Sequence, residues 1–499
     1  MAAPGKLIGS ARGQVRLLDG NGKGQLPAGA LPLDKLERTQ AWGGASEGMA
    51  YVFRPSTDEG LAEVFDMARR SGRKVGLRGA GNSYGDASLN DENILLDLSR
   101  MRRILEWEPE AGRIRLEPGV TIAQLWQYVL GDGWWPAVVP GTSNPTLGGC
   151  AGMNVHGKNA WKAGPLGEHI EAFELMLPSG ELVAADRCSR PELFHAAIGG
   201  LGLLGVFTSL TLRLKKVHSG LLHVRALAGR DLGEMLAHFE ANLDSADYLV
   251  GWIDATAGRG LGRGQVHRAR YLRPGEDPAP GQSLRLERQH LPDSLFGVVP
   301  RPAVWRLMRP FVNDPGVRLV NWARYRASRL GSGKSYLQSH VGFHFLLDYV
   351  PDWKRAYGPG GLIQYQSFVP TPAAPATFAE MLRLCQRRGL PNYLSVLKRH
   401  KPDAFLLSHG LDGYSLAMDF RVTPARRPRL LKLAAELDEI VLQAGGRFYF
   451  AKDSTLRPEV TAAYLGEETL ARFRAIKAQC DPNGRLENNL WRRAFGPAD

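Results

Sequence analysis

Cysteine is scarce: four residues in 499, at positions 150, 188, 385 and 480, with no C-x-x-C pair. That spacing excludes a zinc ribbon and offers no disulfide framework. No window approaches 18 uninterrupted apolar residues, so a membrane-spanning helix is not expected. The first residues, M-A-A-P-G-K-L-I-G-S-A-R-G-Q, hold no apolar stretch long enough for a signal peptide, and the reading is a cytoplasmic protein. There is no internal repeat and no low-complexity block. Acidic residues are also in short supply. Fifty Asp+Glu stand against 63 Lys+Arg, a formal net charge of +13. Such an excess calls for nucleic acid, a membrane surface or an anionic ligand. No helix-turn-helix, zinc or RNA-binding signature supports nucleic acid.

What is present is globular usage, 44% hydrophobic and 23% charged residues, which argues against long disorder. At roughly 100–200 residues per domain, the length suits two to four domains or one large split fold. From about Met49 to Val217 short strands alternate with helices. Strands are expected at Tyr51–Arg54, Lys74–Leu77, Ile94–Leu98, Arg113–Glu117 and Phe207–Leu214. Helices are expected from a Ser56 or Thr57 cap to about Arg70, and from Ile122 to Leu130. Glu171–Leu177 and Leu182–Ala185 flank Pro178-Ser179-Gly180 and read as a hairpin. Beyond His218, helices Pro375–Arg388 and Pro428–Ala444 lie near strands Leu394–Lys398 and Ser415–Arg421. That pattern predicts an α+β unit with a mostly antiparallel sheet. Gly258–Lys334, rich in Arg, Pro and Trp with weak periodicity, reads as long loops with short helices.

Directly after the second of these strands comes R-G-A-G-N-S-Y-G-D, Arg78–Asp86. Gly79-Ala80-Gly81 matches the start of a dinucleotide fingerprint, and Gly81–Gly85 fits G-x-S-x-G. Both motifs must open into a helix. Here D-A-S-L-N-D-E-N leads straight to the strand at Ile94, which leaves no room for one. Two readings stay open on this loop alone: a turn without a ligand, or a nest of backbone N–H groups around a diphosphate. Some sixty residues on, Val139-Pro140-Gly141-Thr142 precedes T-L-G-G-C-A-G-M, then V-H-G-K-N at Val155–Asn159. The small residues allow a helix start to approach either a ligand or another backbone. Two such loops suit a long ligand with a diphosphate in its middle, and tight packing alone is the alternative.

Together these segments resemble the FAD-binding (PCMH-type) domain of the vanillyl-alcohol-oxidase superfamily. Within it, the likeness is to the flavoprotein oxidase subunits of decaprenylphosphoryl-β-D-ribose 2′-epimerases. Further matching stretches are W-K-R-A-Y-G-P-G-G-L-I-Q-Y-Q at Trp353–Gln366 and F-A-K-D-S at Phe450–Ser454. The likeness runs from about Trp42 to Arg493 and is weakest over 258–340. It implies an FAD-binding unit of two α/β subdomains over 40–217, an α+β cap over 218–445, and a segment 446–499 returning to the first unit.

The resemblance also implies site residues. The cofactor would be held by Arg78, Gly79, Gly81, Asn82, Ser83, Tyr84 and Gly85, then Pro140, Gly141, Thr142, Gly148, Gly149, Cys150, Asn154, His156 and Gly157. Gly202, Gly205 and Val206 would line its adenine side. Relatives that bind flavin covalently use a His in the first loop. Asn82 stands there and no Cys lies near His156, so FAD is expected to be non-covalent. His156, Lys158 and Lys452 would act catalytically, Lys452 as a cation stabilising negative charge, with a salt bridge to Asp453 as its structural alternative. Gln364, Gln366, Lys398, His344 and Lys158 would face the substrate. On a strand, Gln364 and Gln366 share one face. Where the family carries Asn and a reactive Cys before V-D-F, this chain reads Ser415-Leu416-Ala417-Met418-Asp419-Phe420, so the pocket is altered.

The implied activity is oxidation of a secondary hydroxyl on a sugar or polyprenyl-phosphate sugar. Implied with it are a reductase partner that completes epimerisation, and peripheral association with the membrane. An aldonolactone or alditol oxidase is the alternative, but the H-W-G-K-like C-terminal motif and the covalent His of lactone oxidases are missing. A sterol-type side-chain reductase and a non-catalytic flavin or polyprenyl-lipid binder are others. His340 and His344 are too sparse for a metal site and read as strand core. Between Arg301 and Lys334, eight Lys and Arg face only Asp314, with Trp305, Phe311, Trp322 and Tyr325 interleaved. This mixture suits an anionic membrane surface or a lipid phosphate held there. A solvated basic face is the plainer reading.

Overall fold

A computed structural model describes residues 17–18, 24–25, 30–295 and 297–496. The N-terminal residues 1–14 read above lie outside it. The fold is α+β and is organised around three main sheets. The first holds β1 (Leu36–Gln40), β2 (Glu47–Phe53), β3 (Val75–Arg78) and β4 (Ile94–Asp97), in spatial order β1-β2-β4-β3. Its β2-β4 and β4-β3 pairs are parallel. Helix α1 (Asp58–Ser71) makes the β2-to-β3 crossover. The Thr57 hydroxyl caps it by accepting from Gly60 N at 3.2 Å, and Gly72, in a left-handed conformation, ends it. Leu61, Val64, Phe65 and Ala68 turn inward at helical spacing. Burying Leu61 and Phe65 contributes roughly 1.5–3 kcal/mol each.

The second sheet is antiparallel throughout. It comprises β5 (Ile104–Glu108), β6 (Arg113–Leu116), β7 (Ile170–Met176), β8 (Leu182–Asp186) and β9 (Val206–Arg213), ordered β8-β7-β9-β6-β5. The expected hairpin is the β7-β8 pair. Strands β1 and β5 escape the sequence pattern because their faces are largely polar and part-exposed.

The third sheet is the largest. Its strands are β10 (Leu221–Gly229), β11 (Tyr248–Ile253), β12 (Gly264–Tyr271), β13 (Ser335–Ser339), β14 (Leu362–Pro370), β15 (Leu394–His400), β16 (Gly413–Arg421) and β17 (Arg447–Phe448). They run β13-β10-β12-β11-β15-β16-β14-β17, all antiparallel. Helices Leu232–Glu240, Ala374–Arg387 and Arg427–Gln443 pack on it. Phe239 meets Tyr414 edge to face, and the Tyr365 hydroxyl donates to Asp438 Oδ1 at 3.0 Å.

Two expectations need correction. Gly258–Lys334 is not mainly loop: it supplies the interior strand β12 and a 17-residue helix, Asp314–Leu330. Gln265, His267, Arg268 and Arg270 surround the buried Val266 and Ala269 along β12, three residues apart, and mask its pattern. The helix buries only Val317, Asn321, Tyr325 and Ser328, half of them polar, so no apolar period shows. His340–His344 is a short helix capped by Ser339, not strand.

The tail closes the structure. Leu486 bridges Val75 beside β3, and Asn488 Nδ2 donates to Leu201 O at 3.2 Å. Arg493 donates to both carboxylate oxygens of Asp86, at 2.8 and 2.9 Å, and to Asp453 Oδ2 at 2.7 Å. The two carboxylates hold its guanidinium firmly charged. Removing one partner of a buried pair strands the other's charge. Arg493→Ala should therefore destabilise the protein by about 3 kcal/mol, and an unchanged thermal midpoint would contradict this account of the network.

Candidate functional site

The glycine segments earn their place by close approach. A Cβ on Gly79 would collide with the Thr146 side chain, and one on Gly148 would lie 2.6 Å from Pro118 Cβ. Gly81 has φ +67°, a conformation that favours glycine. Thr146 caps the short helix Leu147–Gly152, accepting from Gly149 N. The loop after β3 and this helix start are therefore pressed together, with their backbones along one wall of a cavity of about 910 Å³. That volume is at the upper end of the roughly 300–1,000 Å³ usual for ligand sites. Arg78 stands in the same wall, donating to Ser88 O at 3.0 Å and Gln40 O at 3.2 Å and pairing with no carboxylate among the described residues. The Asn82 amide, with Oδ1 accepting from Trp42 Nε1 at 3.2 Å and Nδ2 donating to Ala80 O at 3.3 Å, is held by the loop itself.

The opposite wall comes from the third sheet. Strand register places Gln364 opposite Asp419, Gln366 opposite Ala417 opposite Val396, and Lys398 opposite Ser415. With a side-chain period of two, these residues share one face, while Tyr365, Leu397, Tyr414 and Leu416 point to the other. The cavity therefore has a polar floor on a rigid sheet. The Gln364 amide donates to Asp419 Oδ1, and Asp419 Oδ2 is buried without a partner among the described residues. His344 Nε2 is likewise unpartnered in the cavity wall.

Around this floor, basic groups crowd together out of water. Lys452 Nζ sits 3.5 Å from the centroid of the Tyr84 ring. Burial lowers its pKa to about 7, opposed by the negative charge of Asp419. Burial in turn raises Asp419 to about 6. Lys398 is lowered by burial to about 8. Lys158 Nζ donates to Phe343 O, and burial with the charge of Lys398 pushes its pKa well down. His156 is buried, and burial followed by Lys398 keeps its imidazole neutral. Gln366 Nε2 lies 2.9 Å from His156 Nε2, and Lys398 Nζ lies 3.4 Å from Nδ1. A neutral imidazole has one acceptor nitrogen, so it accepts from only one of these two neighbours, and its tautomer is tied to the state of Lys398.

Most of the expected residues line this one cavity: Arg78, Gly79, Gly81, Asn82, Ser83, Tyr84, Pro140, Gly141, Thr142, Gly148, Gly149, Cys150, His156, Lys158, Gly202, His344, Gln364, Gln366, Lys398 and Lys452. Five stand outside its wall. Gly85 backs onto the Asp453 carbonyl, Gly157 packs beside Asn159, and Gly205 packs on Leu175. Asn154 accepts from Gly167 N at 2.9 Å, and Val206 is fully buried in the core under the first sheet. These five pack against other parts of the protein. The Lys452–Asp453 salt bridge does not form, because Asp453 pairs with Arg493 and accepts from Thr455 N and Leu456 N. Asp419, Ser415 and His400 are functional candidates that the pattern of the chain leaves unmarked. His400 Nε2 meets Ser415 Oγ at 2.8 Å beside His156.

Comparison with known proteins agrees with this geometry. An FAD binding domain model matches residues 49–186. Decaprenylphosphoryl-beta-D-ribose oxidase of Mycolicibacterium smegmatis is 30% identical over 466 residues, covering 92% of this chain and 97% of that protein. L-gulonolactone oxidase of Bos taurus is 29% identical over 161 residues, 32% of this chain and 36% of the relative. D-arabinono-1,4-lactone oxidase of Eremothecium gossypii is 27% identical over 166 residues, 32% of this chain and 31% of the relative.

FAD fits the residues present. Glycine backbone at the helix start suits a diphosphate, Arg78 adds an uncommitted cation, and the orphaned polar atoms of the floor lack partners that a ligand would supply. The two positions where the resemblance would place a covalent flavin link do not suit one. The Asn82 amide is not nucleophilic, and burial pushes the Cys150 thiol up to about 12. After SDS denaturation and acid precipitation, flavin should leave with the supernatant; flavin on the pellet would refute non-covalent binding. With 30% identity spread over nearly all of both chains, and the glycine segments of the matched domain gathered in one cavity wall, the chain belongs to the FAD-linked oxidoreductase family that includes decaprenylphosphoryl-beta-D-ribose oxidase.

Proposed function

We propose that the protein oxidises a secondary hydroxyl of a sugar, with a polyprenyl-phosphate sugar as the leading substrate class. The observation that carries this reading is the cavity floor, where Gln364, Gln366, Ser415 and Lys398 present amide, hydroxyl and amine groups on one rigid face. Such an array suits a polyol, whose hydroxyls each need a donor or an acceptor. Bound FAD supplies the two-electron acceptor for the carbinol hydrogen.

The chain's own residues handle position and charge. Gln364 and Gln366 hold the sugar hydroxyls, and the Asp419 partner keeps the Gln364 amide oriented. The hydroxyl proton needs an acceptor whose pKa lies near the working pH. His156 is too weakly basic after burial and acts instead as a hydrogen-bonding partner. Lys398, near 8, is the better proton acceptor, and its state is communicated through the His156 tautomer. Lys452 supplies a positive charge that stabilises negative charge developing in the redox step. Lys158, tethered to Phe343 O, shapes the wall. The ketone product would then pass to a separate reductase.

Two outcomes test these roles. Lys452→Ala should retain flavin but lower kcat by about 10²-fold; an unchanged kcat would remove Lys452 from the mechanism. The pH profile should be a bell. Activity rises as Lys398 loses its proton near 8, and falls as Lys452 loses its charge from about 7 upward, so only a narrow optimum remains. Arginine stays charged across this range. Lys452→Arg should therefore flatten the alkaline limb, and a limb that persists would assign it to another group.

A further inference from the structure

We infer that the cavity holds a second anion subsite, built by Arg324, His267, Lys158 and His344, which takes the phosphate group of a phosphorylated sugar. Arg324 and His267 fall in 258–340, where the resemblance is weakest, and it gives them no role. Arg78, Lys158, Arg324, Lys398 and Lys452 line the cavity, and among the described residues no Asp or Glu does. Part of that imbalance is already met. The glycine backbone and Arg78 suit the FAD diphosphate. The negative charge of Asp419 supports Lys452 from just behind the floor. Among the described residues no carboxylate pairs with Arg324 or Lys158.

Three elements aim these groups into one part of the cavity. In β11 and β12, Val250 stands opposite His267 and Trp252 opposite Gln265, so Trp252 and His267 share the cavity face. The helix Asp314–Leu330 carries Arg324 one turn from its buried Asn321 and Ser328. Its guanidinium carbon lies 4.2 Å from the centroid of the buried Trp252 ring. A guanidinium lying over an aromatic face keeps its N–H edge free for a ligand, and Arg324 makes no hydrogen bond among the described residues. The short helix His340–His344 brings the other two groups. His344 is 1% exposed with Nε2 unpartnered among the described residues, and Phe343 O holds Lys158 Nζ. Burial first, then the charge of Lys158, lowers the pKa of both His267 and His344, and Arg324 adds to the effect on His267.

The chemistry of the donors selects the occupant. Arginine and lysine donate and do not accept, and a neutral imidazole donates through one nitrogen. Donors converging from two helices and a strand need acceptor oxygens in more than one plane. A phosphate ester, tetrahedral and negative, has them; a carboxylate, with both oxygens in one plane, does not. A free sugar brings hydroxyls but no charge. Strand register lines up Trp252, Val396, Ala417 and Gln366 across four strands. Three strand spacings separate the ends, roughly 14 Å, a gap that the Gln366 and Arg324 side chains can close with a sugar phosphate between them. Assigning the anion to the substrate rests on the sugar reading above, whereas binding of the anion does not.

The test uses the full-length FAD-loaded protein in phosphate-free buffer. Calorimetric titration with inorganic phosphate should show binding, and R324Q and H267Q should each weaken it by about tenfold or more. Anaerobic flavin reduction by D-ribose 1-phosphate and by D-ribose then gives a preference, the ratio of their second-order rate constants. R324Q should lower that ratio by about tenfold or more, and inorganic phosphate should compete with the phosphorylated sugar. Flavin content and thermal midpoint check that each variant is folded, and H267Q carries the test alone if R324Q is not. Phosphate that does not bind, or that binds both variants as tightly as the unmodified protein, would overturn the subsite. Arg324-dependent phosphate binding with no flavin reduction by either sugar would leave the subsite standing and overturn the sugar reading. Reduction by both sugars with a ratio that R324Q leaves unchanged would overturn the assignment of the sugar's phosphate to these residues.

Discussion

One buried carboxylate faces a group of buried bases. Asp419 sits on the cavity face of β16, fully out of water, with Gln364 on one oxygen and nothing on the other. Lys452, Lys398, Lys158 and His156 line the same space. Desolvation penalises every charge there. The lysines are pulled toward neutrality and the aspartate toward protonation; the Gln364 hydrogen bond to Asp419 and the attraction between Asp419 and Lys452 oppose this. The pKa values that result, about 6, 7 and 8, fall where proton transfer at neutral pH is easiest. Buried polar groups around one cavity thus provide both the reactivity and the need for a ligand.

Holding such groups together requires a stiff frame. The eight-stranded sheet supplies it: its register fixes Gln364, Gln366, Lys398, Ser415 and Asp419 relative to one another, and helices on the far face lock the strands. The opposite wall is backbone. Glycines 79 and 148 let β3 and the helix at Leu147 close to contact, which no larger residue would allow. Arg493 links these parts, since it grips Asp86 beside the first loop and Asp453 beside Lys452. Arg493 thereby ties the first loop to the segment that carries Lys452.

Much of this was legible beforehand. The two glycine loops stand out by composition, and the missing helix after Gly85 rules out the commoner nucleotide-loop readings. Alternation on a strand pairs Gln364 with Gln366. The same alternation puts Asp419 in line with Ser415 and Ala417, but a single acid in an apolar strand carries no sign of its partners. The Asp314–Leu330 helix hides because polar Asn321 and Ser328 fill half of its inward face. Gly85, Gly157 and Gly205 look like the other loop glycines but stand outside the cavity wall, against Asp453, Asn159 and Leu175.

The sequence by itself determined much of the strand and helix order between residues 49 and 217, the need for close backbone approach at the glycine loops, and the basic excess of residues 301–334. These are local properties, set by side-chain period, by the lack of a Cβ and by composition. Tertiary structure alone decided which polar groups meet. His156, Gln366, Lys398 and Lys452 are far apart along the chain, and folding brings them to one cavity with Asp419 close behind. It also decided how they ionise, because desolvation depends on what surrounds a group in space. Folding likewise turned the basic excess of residues 301–334 into a surface, by turning Leu319, Trp322, Arg326 and Leu330 outward while drawing Asp314 in.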